Sequence, residues 1–121
     1  MTKRILVVED QEDNRRILRD MLTNVGYEVF EAEHGGHALS AATTHRPDLI
    51  LMDIQLPVLD GYAATRQLKS EPALRDIPII VITSYALSGD EGKARAAGCD
   101  DYVTKPFSPR QLLAKIRSYL P

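Results

Sequence analysis

The chain has 121 residues, 44% hydrophobic and 26% charged, the length and balance of one globular domain, expected to span residues 1–121 and to bury a core without disulfide or structural metal. Its 15 Lys and Arg against 17 Asp and Glu leave a formal net charge of -2, so no basic field is present to collect a phosphate backbone, and nucleic acid is not an expected direct partner. Cys99 is the single cysteine, which excludes a disulfide framework or a thiolate zinc cage and reads as a small core residue in a reducing compartment. No apolar run approaches the roughly 20 residues of a membrane span, and no cleavable signal pattern follows the start, so the expected place is the cytoplasm.

Ile5 to Val8 is a short apolar run closed by Glu9 and Asp10, which predicts a buried strand ending in a polar loop. The period then changes: Ile17, Leu18, Met21, Leu22 and Val25 share one face of a helix over Asp13 to Val25, with Gly26 as its stop. Tyr27 to Ala32 is a weaker strand whose Glu28 and Glu31 suggest an edge position. Ala38 to Thr44 reads as a helix ending ahead of Pro47, and Leu49 to Met52 as a fully apolar strand stopping at Asp53.

Gln55 to Gly61 is a loop, and Tyr62 to Leu68 a helix capped by Asp60. Pro78 to Ile82 is the next strand, followed by Thr83 and Ser84; Glu91 to Ala97 is a helix closed by Gly98. Tyr102 to Thr104 is a last strand before Lys105 and Pro106. Ser108 with Pro109 marks a helix start, whose inward stripe is Leu112, Leu113, Ile116 and Leu120. Strands alternating with helices imply right-handed crossovers and an open α/β parallel sheet covered on both faces.

In such sheets the ligand site lies at the carboxyl ends of the strands. Those ends carry Glu9 and Asp10, Asp53, Thr83 and Ser84, and Lys105. Carboxylates brought to about 4 Å of one another repel by about 4 kcal/mol at an effective dielectric of 20, so a raised pKa or a bound cation must compensate. With only carboxylate and carbonyl oxygens as ligands the cation is expected to be hard, Mg²⁺ first and Mn²⁺ as a substitute. An aspartate beside Mg²⁺, an ammonium and a hydroxyl makes a phosphoryl-acceptor site, in which Asp53 is the in-line nucleophile and Asp10 with Glu9 holds the metal.

Glu9-Asp10, the Asp53 strand end within Leu51 to Pro57, Thr83-Ser84, and Lys105-Pro106 with Tyr102 three residues earlier resemble the signature of the response-regulator receiver domain, over Lys3 to Leu120. The stretch Asp48 to Pro57 and the Gly98-Cys99 pair are similar to stand-alone single-domain regulators of the DivK type, the alternative being a receiver domain excised from a hybrid kinase. The resemblance implies a flavodoxin-like, CheY-like fold: five parallel strands in the order 2-1-3-4-5 with helices on both faces. It implies Asp53 as phosphoacceptor, Glu9, Asp10, Asp53 and the backbone carbonyl of Gln55 as Mg²⁺ ligands, Lys105 as the contact to the phosphoryl oxygens, and a cis bond before Pro106.

It further implies Thr83 and Tyr102 as a switch pair, and Gln55 and Tyr85 as the positions that tune phosphoryl lifetime. The expected protein is a signalling phosphoacceptor that assists its own phosphorylation and dephosphorylation, not a turnover enzyme. Its expected partners are a histidine kinase or histidine phosphotransfer protein and a downstream protein target on the 91–120 face, with the chain a monomer or weak dimer and no output domain visible. The bland reading of Tyr102 is a tyrosine packed on the sheet edge.

Other readings fit less well. A flavin or dinucleotide module needs a phosphate cradle after the first strand, where this chain has five polar residues, Glu9 to Asp13, four of them acidic. A phosphatase of the haloacid-dehalogenase type shares the aspartate nucleophile and Mg²⁺, but uses a second acid two positions on, where Gln55 stands. His34, His37 and His45 read as surface histidines, and Lys3-Arg4 and Arg15-Arg16 as solvated ends, though Arg15, Arg16 and Arg19 offer charge to an acidic face.

Overall fold

The apolar runs pair as a five-stranded parallel sheet in the order β2-β1-β3-β4-β5, in a computed structural model that describes residues 2–54, 60–83 and 90–121. Its strands are β1 (Arg4–Val8), β2 (Glu28–Ala32), β3 (Leu49–Asp53), β4 (Ile79–Thr83) and β5 (Asp101–Thr104). The helices between and after them are α1 (Glu12–Asn24), α2 (Gly35–His45), α3 (Gly61–Ser70), α4 (Asp90–Ala97) and α5 (Pro109–Tyr119). The order is the one expected, with β2 on an edge, as its glutamates suggested. Among the described residues no helix is long and apolar enough to cross a membrane.

Because successive strand residues point to opposite faces, each strand feeds two cores. Leu6, Val8, Ile50, Met52, Ile79 and Val81 pack against Ala38 and Ala42 of α2 and Ala64 and Leu68 of α3. Ile5, Val7, Leu49, Leu51, Ile80 and Ile82 pack against Leu18 and Leu22 of α1 and Leu112 and Ile116 of α5. The register places Val8 beside Met52 and Asp53 beside Ile82, so the strands end at a common level.

Local chemistry sets the helix limits. Asp60 caps α3 by accepting from the Ala63 N–H, and Ser108 caps α5 in a reciprocal box with Gln111 behind Pro109. Glycines in the left-handed region, Gly26 (φ 99°) and Gly98 (φ 100°), end α1 and α4. Lys69 of α3 donates to the carbonyls of Arg75 and Ile77 and to Asp100 Oδ2, tying α3 to the segments that lead into β4 and β5.

Several expectations need correction. The α1 stripe is wider than the surface it meets: Leu18 and Leu22 are buried, but Ile17 is 62% and Val25 42% exposed. α2 begins at Gly35, three residues before the predicted Ala38, because His34 Nδ1 accepts from the His37 N–H and caps it; both rings are exposed, as expected. Of the three histidines only His45 departs from the surface reading: it is half-buried and stacks on Phe30 with centroids 4.0 Å apart. Cys99 is buried as expected, and burial pushes its thiol up to about 11, which keeps it protonated and inert.

Candidate functional site

Four strand ends deliver the polar residues to one rim. Glu9 follows β1 and is 2% exposed; Asp53 closes β3 at 5%; Thr83 closes β4 at 2%; Lys105 follows β5. The sheet hydrogen bonds run on past the strands to set these residues: the Glu9 N–H donates to the Ala32 carbonyl, the Ile54 N–H to Ile82, and the Lys105 N–H to Thr83. Gly61 brings α3 down onto the Asp53–Ile54 backbone, its N–H donating to the Ile54 carbonyl at 3.0 Å.

The charges face one another. Lys105 Nζ lies 3.3 Å from Asp53 Oδ2 and 4.0 Å from Glu9 Oε1. One carboxylate oxygen from each of Glu9, Asp10 and Asp53 lies within 4.8 Å of the other two. Asn14 Nδ2 donates to Glu9 Oε1 at 2.6 Å, while Glu9 Oε2 is buried without a hydrogen-bond partner. Burial pushes the Glu9 carboxyl up to about 8; Asp53 pushes the same way, against the Asn14 amide and the Lys105 ammonium.

The donor set fits a hard divalent cation. Three carboxylates converge, one ammonium balances part of their charge, and one buried oxygen is left without a donor, which is what a cation with oxygen preference would satisfy. Beside the rim an apolar groove of about 480 Å³ runs between α1 and the segment after β5, lined by Val8, Ile17, Met21 and Phe107 and reaching Asp53 and Lys105.

Of the residues singled out from sequence, Glu9, Asp10, Asp53, Thr83 and Lys105 meet at this rim. The Lys105–Pro106 bond is cis. Tyr102 is half-buried on β5, packed against the core on the α2–α3 face. Gln55, Ser84 and Tyr85 lie outside the described residues. Sequence reading missed Asn14 and Arg15. Arg15 is not a solvated end: its side chain is 11% exposed and reaches the Glu9 and Asp10 carbonyls and the acids at the end of β2. A residue at the third position of a helix that follows two site acids can reach back to them, and that spacing was the available signal for Asn14.

A buried strand-end aspartate faced by a lysine and flanked by further carboxylates, at the carboxyl edge of a doubly wound parallel sheet, defines a phospho-accepting signalling protein. The comparisons narrow this class. The profile of the response regulator receiver domain matches residues 5–117, and the chain belongs to that family. It is 45% identical over 120 residues to the polar-differentiation response regulator DivK of Brucella anthropi, covering 99% of this chain and 98% of that protein.

Among solved structures, the receiver domain of sensor histidine kinase PA1611 from Pseudomonas aeruginosa is 39% identical, with a TM-score of 0.91 over 99% of this chain and 98% of that one. Its structure holds a magnesium ion coordinated in the active site cleft. The chemotaxis protein CheY4 of Vibrio cholerae is 27% identical, with a TM-score of 0.93 over 98% of this chain and 99% of that one. The phosphatase alternative draws no support from these relatives.

Proposed function

We propose that Asp53 receives a phosphoryl group from a histidine of a kinase or phosphotransfer protein, and that Glu9, Asp10, Asp53 and the backbone carbonyl of Gln55 hold Mg²⁺, with Mn²⁺ as a substitute. The observation that carries this reading is the Lys105 ammonium 3.3 Å from Asp53 Oδ2, beside a buried Glu9 oxygen that has no donor. When bound, the cation supplies positive charge against the clustered carboxylates and the oxygens of the phosphoryl group.

An Asp53 carboxylate oxygen attacks phosphorus in line. The bond from phosphorus to the donor imidazole breaks, its electron pair stays on that nitrogen, and the product is an acyl phosphate on Asp53. Lys105 reaches Asp53 from the β5 side and contacts the incoming oxygens. The donor protein seats along the apolar groove that opens onto Asp53, where Ile17 stands exposed.

The new charge draws the Thr83 hydroxyl toward the phosphoryl group and vacates space into which Tyr102 turns, so the 91–120 face changes shape for a downstream protein target. Gln55 and Tyr85 set how long the acyl phosphate lasts. The chain acts as one receiver domain over residues 1–121, cytoplasmic, monomeric or weakly dimeric. It assists its own phosphorylation and dephosphorylation without being a turnover enzyme.

Intact-protein mass after incubation with acetyl phosphate tests the reading. The expected result is a phosphoryl adduct with Mg²⁺, lost with excess chelator and lost in Asp53→Asn. An adduct of equal yield in Asp53→Asn overturns Asp53 as the acceptor, and steady release of phosphate without a lasting adduct revives the phosphatase mechanism.

A further inference from the structure

The turn that carries Glu9 and Asp10 is anchored by a side chain that is neither an acid nor a member of the rim. Arg15 Nη1 donates to the Glu9 carbonyl at 2.8 Å and to the Asp10 carbonyl at 3.2 Å. The same guanidinium places Nε 3.5 Å from Glu31 Oε1 and Nη2 3.6 Å from Glu33 Oε1. Between those two acids, the Ala32 carbonyl accepts from the Glu9 N–H at 3.0 Å. The Glu9 peptide is therefore held on both sides by the end of β2, directly through Ala32 and through one nearly buried guanidinium.

We propose that Arg15 is a positioning residue for the metal-binding turn: it clamps the Glu9 and Asp10 carbonyls so that their carboxylates stay turned toward Asp53. The inference rests on the reading of the rim as a Mg²⁺ site. The choice of acceptors is what makes the clamp useful. An arginine paired with the rim carboxylates would occupy the oxygens a cation needs, whereas Arg15 binds main-chain carbonyls and leaves those oxygens free. The planar fork matters too, because two carbonyls and two carboxylates are reached from three different nitrogens, which a single ammonium cannot do. Glu31 and Glu33 hold the fork in orientation.

Arg19 provides the comparison. It stands one turn farther along α1, with Nη1 3.1 Å from Glu31 Oε2 and Nε 3.9 Å from Asp20 Oδ1. It shares the Glu31 anchor with Arg15, yet its ion pairs lie with acidic side chains and not with the carbonyls of the 9–10 turn. Loss of Arg19 thus removes a comparable α1–β2 ion pair without releasing the clamp.

The experiment is a MgCl₂ titration of the full chain followed by backbone amide chemical shifts, for the wild type, Arg15→Met, Arg15→Lys and Arg19→Met, with melting temperatures alongside. In Arg15→Met the Mg²⁺ dissociation constant is expected to rise about tenfold or more, the usual size of a supporting-residue effect. In Arg19→Met it is expected to stay within about twofold, since Arg19 pairs with the side chains of Asp20 and Glu31 and with neither carbonyl of the 9–10 turn. Arg15→Lys serves if the methionine variant does not fold, with an expected rise of at least about threefold.

An unchanged dissociation constant in both Arg15 variants, or equal weakening in Arg19→Met, overturns the positioning role while leaving the metal site standing. A wild-type protein whose amides do not respond to Mg²⁺ overturns the metal reading and this inference with it.

Discussion

Replacing Gly61 by alanine drives a methyl group into the strand that carries Asp53. A Cβ at Gly61 would stand 2.3 Å from the Asp53 carbonyl oxygen, 2.8 Å from Ile54 Cα and 3.0 Å from the Asp53 carbonyl carbon. Heavy atoms prefer about 3.5 Å, and all three neighbours are backbone, so no rotamer relieves the overlap and α3 must back away by about 1 Å. That displacement strains the Gly61 to Ile54 hydrogen bond and the Asp60 cap on Ala63. Overpacking of 1–3 kcal/mol plus roughly 1 kcal/mol for a weakened hydrogen bond gives a loss of about 3 kcal/mol.

For a chain of this length 1 kcal/mol corresponds to about 4 °C, so the melting temperature is expected to fall by about 12 °C. Gly92, inside α4 with nothing within 4 Å of its own built Cβ, is the control. There alanine removes only the entropic cost of glycine, and Gly92→Ala is expected to gain about 0.5–1 kcal/mol. Scanning calorimetry of the two variants in chelator decides the matter. A Gly61→Ala melting temperature within about 3 °C of wild type would refute the argument that α3 abuts the acceptor strand too closely for any side chain.

Further outcomes follow from the same contacts. Glu9 titrates at about 8 in the fold against an ordinary 4.5, so between those values the native chain holds a proton the unfolded chain has released. Its contribution to stability is full below 4.5 and is lost as pH rises through about 8. In chelator, the melting temperature of the wild type should decline across that window more than that of Glu9→Gln, and parallel profiles would count against it. Ser108→Ala removes the cap of α5 and is expected to cost about 1 kcal/mol in a denaturant melt, with no loss pointing to compensation by Gln111. Lys69→Met removes the ammonium from the Arg75 and Ile77 carbonyls while Asp100 Oδ2 keeps the Ile79 N–H, and should cost about 2 kcal/mol; a loss under about 0.5 kcal/mol would show that water replaces the ammonium.

The strands were legible because parallel strands buried on both faces read as apolar runs, and Leu49 to Met52 or Ile79 to Ile82 admit little else. Asp60 and Ser108 were legible because a cap is a local bond between residues three apart. The rim residues were legible as a group because the ends of parallel strands point one way, so residues distant in sequence share an edge. The His34 cap and the reach of Asn14 to Glu9 are local and could have been read; the other misses come from how elements meet. Periodicity says which residues of α1 are apolar but not how much of that face the sheet covers, hence Ile17. The reach of Arg15 to Glu31 and Glu33, and of Lys69 to Asp100, depends on how elements far apart in sequence are set side by side, which no window of neighbouring residues records.

The rim draws on strands from both ends of the chain, and β5 is an edge strand of four residues, paired on one side only with β4. Local opening costs least where few buried contacts hold the backbone, and a strand paired on one side has fewer of them than β1 or β3. Each opening of β5 carries Lys105 away from Asp53 while β1 and β3 stay paired, so the ammonium leaves but the carboxylates remain together. The Lys105 N–H donates to the Thr83 carbonyl at 2.7 Å, so exchange of that one amide is a clock for how often the end of β5 comes away from the rim.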